Sequence, residues 1–75
     1  SLMVYPNPAV TYCTIQNAAL ESNLKIYNAM GQKVLSTTIK EINQKINIEH
    51  LPSGIYLIEV SDLNNQKRIT KLMKR

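Results

Sequence analysis

The sequence predicts an all-β domain, an immunoglobulin-like β-sandwich of about seven antiparallel strands. Three observations predict it. Ile and Leu dominate the apolar set, alongside four Tyr and neither Phe nor Trp, and such residues favour a pleated, half-buried surface. Short apolar segments alternate with turn signals about every 8–12 residues, the spacing of sandwiches and barrels. Helix competes only over Ala18–Asn28, where Asn23 and the β-branched Ile26 argue against it.

The first strand is read at Leu2–Tyr5 and stops at Pro6-Asn7-Pro8, because two prolines without N–H groups take the chain out of any ladder. The second is Thr11–Gln16, and the small, polar Asn17–Asn23 reads as a connection. The third, Leu24–Tyr27, sets Leu24 and Ile26 on one face and Lys25 and Tyr27 on the other. Asn28-Ala29-Met30-Gly31 then turns the chain, with Gly31 able to supply a positive φ. The fourth strand spans Gln32–Ile39. The fifth, Lys45–Ile48, aligns Ile46 with Ile48.

Leu51-Pro52-Ser53-Gly54 reads as a type I turn with Pro52 at its second position and Gly54 at its fourth. The sixth strand, Ile55–Ser61, points Tyr56, Ile58 and Val60 one way. Its other face (Ile55, Leu57, Glu59, Ser61) is half apolar, which marks a central strand. Asn64-Asn65 is read as a two-residue hairpin leading into the last strand, Lys67–Met73. Seven short strands bury their apolar faces only by stacking two sheets.

A chain of 75 residues holds one domain, and at that size folding removes only about 60–65% of the unfolded surface from water. No apolar run approaches the ~20 residues of a spanning helix. The opening Ser1–Val4 has neither the basic region nor the long apolar stretch of a signal peptide. The lone Cys13 excludes an internal disulfide and, with no basic or His neighbour in sequence, reads as a small core residue. The net charge of +4 gathers at the end, in Lys67, Arg68, Lys71, Lys74 and Arg75. It suits an anionic surface or a solvated strand edge that resists aggregation.

Nothing in the sequence assembles a catalytic centre. The carboxylates Glu21, Glu41, Glu49, Glu59 and Asp62 stand at no telling spacing, and Glu49-His50 are adjacent residues that a strand sends to opposite faces. One Cys and one His far apart do not make a zinc site, and two glycines do not make a phosphate loop. No enzyme activity, cofactor or metal is expected. The scattered Tyr lack the interleaved basic pattern of a nucleic-acid surface, so nucleic acid is not an expected partner. A small adhesion or carbohydrate-binding sandwich is the rival from another class, with Tyr5, Tyr12 and Tyr27 as the aromatics that would stack on sugar.

Four stretches, in order, resemble the type A C-terminal sorting domains of the type IX secretion system. They are Val4-Tyr5-Pro6-Asn7-Pro8-Ala9, then Leu24 to Val34 with its strand, turn and glycine, then Ile48 to Tyr56 with Leu51-Pro52-Ser53-Gly54-Ile55-Tyr56, and finally Lys71-Leu72-Met73-Lys74. The resemblance covers Val4–Arg75. It implies a seven-stranded immunoglobulin-like sandwich that ends a larger secreted protein, so residues 1–75 are expected to be a single sorting domain behind an upstream cargo. It also implies transit through the periplasm, passage across the outer membrane by the type IX machinery, and display at the surface or release. A surface sortase that removes the domain is an implied partner, with anionic lipopolysaccharide as an acceptor for the cargo.

Within the matched stretches, Pro6, Asn7, Pro8, Gly31, Pro52, Gly54 and Tyr56 are expected to shape turns or fill the core. Lys71, Leu72, Met73, Lys74 and Arg75 are basic and close the chain, and they are expected to form an exposed edge that the machinery reads. On that expectation, removing these five residues blocks export of a fusion while the rest stays folded. Gly54→Val, by contrast, acts through lost folding.

Overall fold

The computed structural model describes residues 1–75. The strands are β1 (Met3–Tyr5), β2 (Tyr12–Gln16), β3 (Asn23–Tyr27), β4 (Lys33–Thr38), β5 (Asn43–Asn47), β6 (Gly54–Ser61) and β7 (Lys67–Lys74). Each expected segment is present, with ends displaced by one or two residues. One sheet runs β1-β2-β5 and the other β4-β3-β6-β7, and every strand pair is antiparallel. The chain changes sheet between β2 and β3, between β4 and β5, and between β5 and β6. The two layers are therefore tied by crossing connections as well as by their shared core.

That core follows from the period-2 alternation of each strand. Cys13 and Ile15 from β2 and Ile46 from β5 face Leu24 and Ile26 from β3, Ile58 and Val60 from β6, and Leu72 from β7. Each fully buried Ile or Leu contributes about 1.5–3 kcal/mol by leaving water. Ile39 and Ile48 lie just past the ends of β4 and β5 yet are fully buried, so they join the core from the connections. The sixth strand is central, as its half-apolar second face suggested, and lies between β3 and β7.

Two turns differ from the sequence reading. The hydrogen-bonded turn before β6 is Ile48–Leu51, closed by Leu51 N–H donating to the Ile48 carbonyl at 3.0 Å. The Asn47 side chain accepts from Glu49 N–H at 2.9 Å and starts the turn early, while Gly54 already pairs with Lys74 in the ladder. The last hairpin has a three-residue loop, Leu63-Asn64-Asn65, because Asp62 Oδ1 accepts from both Asn64 N–H and Gln66 N–H at 2.9 Å. Asn65 then takes the left-handed backbone (φ 63°) that closes such a loop.

The β3–β4 hairpin is built the same way. Asn28 Oδ1 accepts from Met30 N–H at 3.0 Å and Gln32 N–H at 2.9 Å, and Gly31 supplies φ 83°. Asn28/Gly31 and Asp62/Asn65 are thus two versions of one device: an acceptor side chain at the start of the loop and a left-handed residue three positions on.

Candidate recognition site

The three motif stretches and the end of the chain meet at one pole of the sandwich. β3 runs into the Asn28–Gly31 loop there, β6 leaves the Pro52–Gly54 bend there, and Gly54 pairs with Lys74. Asn28, Ala29 and Met30 from one turn and Pro52, Ser53 and Gly54 from the other line the two sides of an open, mainly apolar groove of about 330 Å³. Ser1 lies at the opposite pole, where its carbonyl accepts from Asn17 Nδ2 at 2.9 Å and the Arg68 guanidinium donates to the Asn17 carbonyl at 3.0 Å.

Tyr56 is buried, and its hydroxyl donates to the Pro52 carbonyl four residues upstream. A tyrosine in this position satisfies its own polar tip while its ring fills the core, and it pins the bend to the strand that follows. Gly54 has φ 153°, a conformation that side-chain-bearing residues rarely adopt, although a Cβ there would meet nothing within 4 Å. Glycine at position 54 is therefore a backbone requirement more than a packing one.

The Pro6-Asn7-Pro8 stretch serves the end of the chain. Asn7 Nδ2 donates to the Lys71 carbonyl at 2.9 Å, and Asn7 Oδ1 accepts from Met73 N–H at 3.0 Å. Ala9 continues the contact: its N–H donates to the Met73 carbonyl at 2.9 Å, and its carbonyl accepts from Arg75 N–H at 2.8 Å. A side-chain amide followed by one residue of backbone thus stands in for a missing neighbour strand along the outer edge of β7.

This corrects the expectation of an exposed terminal edge. Between Lys71 and Arg75 most of the outward backbone groups are already paired, and only the side chains of Lys71, Met73 and Arg75 are exposed. Leu72 is fully buried in the core. Lys74 is nearly so, with its ammonium donating to the Arg75 carbonyl at 2.9 Å. The free stretch of the β7 edge lies earlier, toward Lys67 and Ile69.

The remaining candidates fall elsewhere. Tyr5 and Tyr12 share the outer face of the β1-β2-β5 sheet, and Lys45 Nζ sits 4.3 Å from the centre of the Tyr12 ring. Tyr27 is on the far side of the molecule, donating to Glu59 Oε2 at 3.1 Å, so the three tyrosines do not form one sugar-stacking platform. Partial burial, that hydrogen bond and the Glu59 charge together raise the Tyr27 pKa. Cys13 is a core residue whose thiol burial pushes up to about 11. Glu49 and His50 sit exposed at the corner of the Ile48–Leu51 turn.

Sequence reasoning placed Asn28 in its turn without its role as the acceptor that closes the loop, and it missed Ala9, which pairs the β7 edge, and Val34, which lines the groove. Only Asn28 left a signal, as an acceptor three residues before a glycine. Ala9 left none, because its partners are more than sixty residues away.

Comparison with known proteins finds similarity along nearly the whole chain. Residues 3–75 match the family model of a secretion system C-terminal sorting domain. Beta-agarase A of Zobellia galactanivorans is 40% identical over 72 residues, a match that covers 93% of this chain but 12% of the agarase.

Proposed function

The chain belongs to the C-terminal sorting domains of the type IX secretion system, and from that membership we propose that the machinery reads the pole where the motif turns and Arg75 converge. Domains of this family are secretion signals attached to a cargo protein, and the family is non-catalytic. They direct export to the cell surface or the extracellular space.

The convergence of separate motifs on one pole, with Ser1 at the other, is the observation that carries this reading. A cargo joined ahead of Ser1 leaves the opposite pole open to a receptor whatever the cargo's shape. Within the pole, Lys71, Met73 and Arg75 offer their side chains, while Leu72 and Lys74 act from within by fixing the strand. We read the route as periplasmic transit followed by outer-membrane passage. A surface sortase removing the domain and anionic lipopolysaccharide receiving the cargo complete that reading. The cargo itself is read as a larger secreted protein.

The test is a reporter fused ahead of Ser1 with Lys71→Ala and Arg75→Ala introduced together. Both side chains are exposed, and both residues' backbone bonds survive the change. Surface reporter is expected to fall at least about tenfold, with an unchanged melting temperature. Export at the wild-type level counts against reading at this pole.

A further inference from the structure

The outer face of the β4-β3-β6-β7 sheet meets the recognition pole at Ile55, Lys71 and Met73 and extends well beyond it. The antiparallel register puts Ile55 opposite Met73, Leu57 between Tyr27 and Lys71, and Glu59 between Lys25 and Ile69. Ile55, Leu57 and Met73 therefore adjoin one another, and Ile69 lies on the diagonal from Leu57, within reach of a long side chain. The exposures of this apolar stripe run from 39% to 64%. A soluble domain this small has little reason to leave four large apolar side chains adjacent in water, and such patches mark interaction sites.

Charge surrounds the stripe. Lys25, Lys33, Lys67 and Lys71 all project from the same face, which follows from their pairing with outward residues. Glu59 is the one carboxylate among them, and it already lies 3.5 Å from Lys67 Nζ and accepts the Tyr27 hydroxyl. The outer face of the other sheet carries a single lysine, Lys45, among Met, Tyr, Thr, Gln and Asn.

We infer that this face lies against a phosphate-bearing lipid surface, the apolar stripe entering the headgroup layer and the lysines meeting the phosphates. Lysine suits the rim of such a contact, since its aliphatic stem lies along apolar surface while the ammonium reaches out to the anion. A second copy of the chain is a poor occupant, because two identical faces would set lysine against lysine. A protein anchored by one inserted side chain is also poorly served. The groove lies at the pole and touches this face only at Ile55.

The experiment measures sedimentation of the 75-residue chain with vesicles, and it is separate from the export test. Vesicles of phosphatidylcholine containing one-third phosphatidylglycerol are compared with phosphatidylcholine alone. The anionic vesicles are expected to bind at least about tenfold more protein, and 0.5 M salt should remove most of the difference. Lys25→Gln with Lys67→Gln, both away from the pole, should lower partitioning roughly twentyfold, each lysine near an anionic surface being worth about a factor of five. Ile69→Ser should weaken it by about tenfold with no loss of fold, since Ile69 is among the most exposed apolar residues.

Equal binding to both vesicle types overturns the inference, as does a Lys25→Gln/Lys67→Gln variant that melts and binds like wild type. Full competition by inorganic phosphate at the lipid-phosphate concentration would instead mark a simple anion site. Concentration-dependent dimerisation without vesicle binding would assign the face to a second copy.

Discussion

The side-chain oxygen of Asn7 accepts the backbone N–H of Met73 at 3.0 Å, across 66 positions of sequence. Its amide nitrogen donates to the Lys71 carbonyl at 2.9 Å, so one carboxamide pairs with the strand edge as a peptide group would. Neither neighbour is able to do this, because proline has no N–H.

Asn7→Asp is the sharpest test of that arrangement. The acceptor survives, but the donor is lost and a carboxylate faces the Lys71 carbonyl. The variant should lose about 1–2 kcal/mol of stability, more than Asn7→Ala, because an unfavourable contact replaces an absent one. Urea midpoints that rank Asp above Ala would show that Asn7 does not pair as described.

Tyr56→Phe keeps the ring in the core and removes only the hydroxyl that donates to the Pro52 carbonyl. The expected cost is about 1 kcal/mol, with faster amide exchange through the Pro52–Gly54 bend. A variant with wild-type stability and exchange would mean that the bend does not depend on the tyrosine.

The glycines separate strain from crowding, since an added Cβ meets nothing within 4 Å at either position. Gly31→Ala should cost about 1 kcal/mol for placing a side chain at φ 83°. Gly31→Asn should cost less, because Asn65 already occupies the matching place in the other three-residue loop. Gly54→Val should cost about 1–3 kcal/mol, and its export defect should track unfolding. A melting temperature equal to wild type for Gly54→Val would contradict this.

Deleting Lys71–Arg75 should unfold the domain rather than remove a tag. The deletion takes Leu72 from the core, a loss of about 2–5 kcal/mol for a buried leucine, and strips Asn7 and Ala9 of their partners. That is comparable to the whole stability of a small domain. Circular dichroism of the truncated chain decides the matter, and a cooperative native-like melt would refute the prediction.

Burial of Cys13 gives stability a dependence on alkaline pH. The thiol ordinarily ionises near 9.0 and in the fold near 11, so the native state holds its proton more tightly than the unfolded chain. The resulting contribution is fully present below about pH 9 and is lost as the pH rises toward 11. Cys13→Ala should melt lower at neutral pH, for want of buried volume, yet lose less stability than wild type across that interval. Parallel pH curves for the two proteins would remove the basis for this.

Which residues share a face, and which stretches form strands, were legible in the sequence by itself. Period-2 alternation put Leu24 with Ile26, and Tyr56 with Ile58 and Val60, on the buried side, and each of these is buried. Gly31 announced a left-handed position because few other residues take one at low cost. These features are local: they depend on residues a few positions apart, so they can be read along the chain.

Tertiary structure alone decided what covers the last strand. A basic segment at the end of the chain reads as an open edge until Asn7 and Ala9 are brought alongside it, and only the sheet order does that. The turn before β6 moved to Ile48–Leu51 for the related reason that Gly54 is claimed by Lys74, its partner in the ladder. The opposition of Ser1 to the motif pole and the apolar stripe from Ile55 to Ile69 also exist only once strands distant in sequence are side by side. Hydrogen bonds and burial between remote segments leave no periodic trace in either one, whereas the alternation within a strand does.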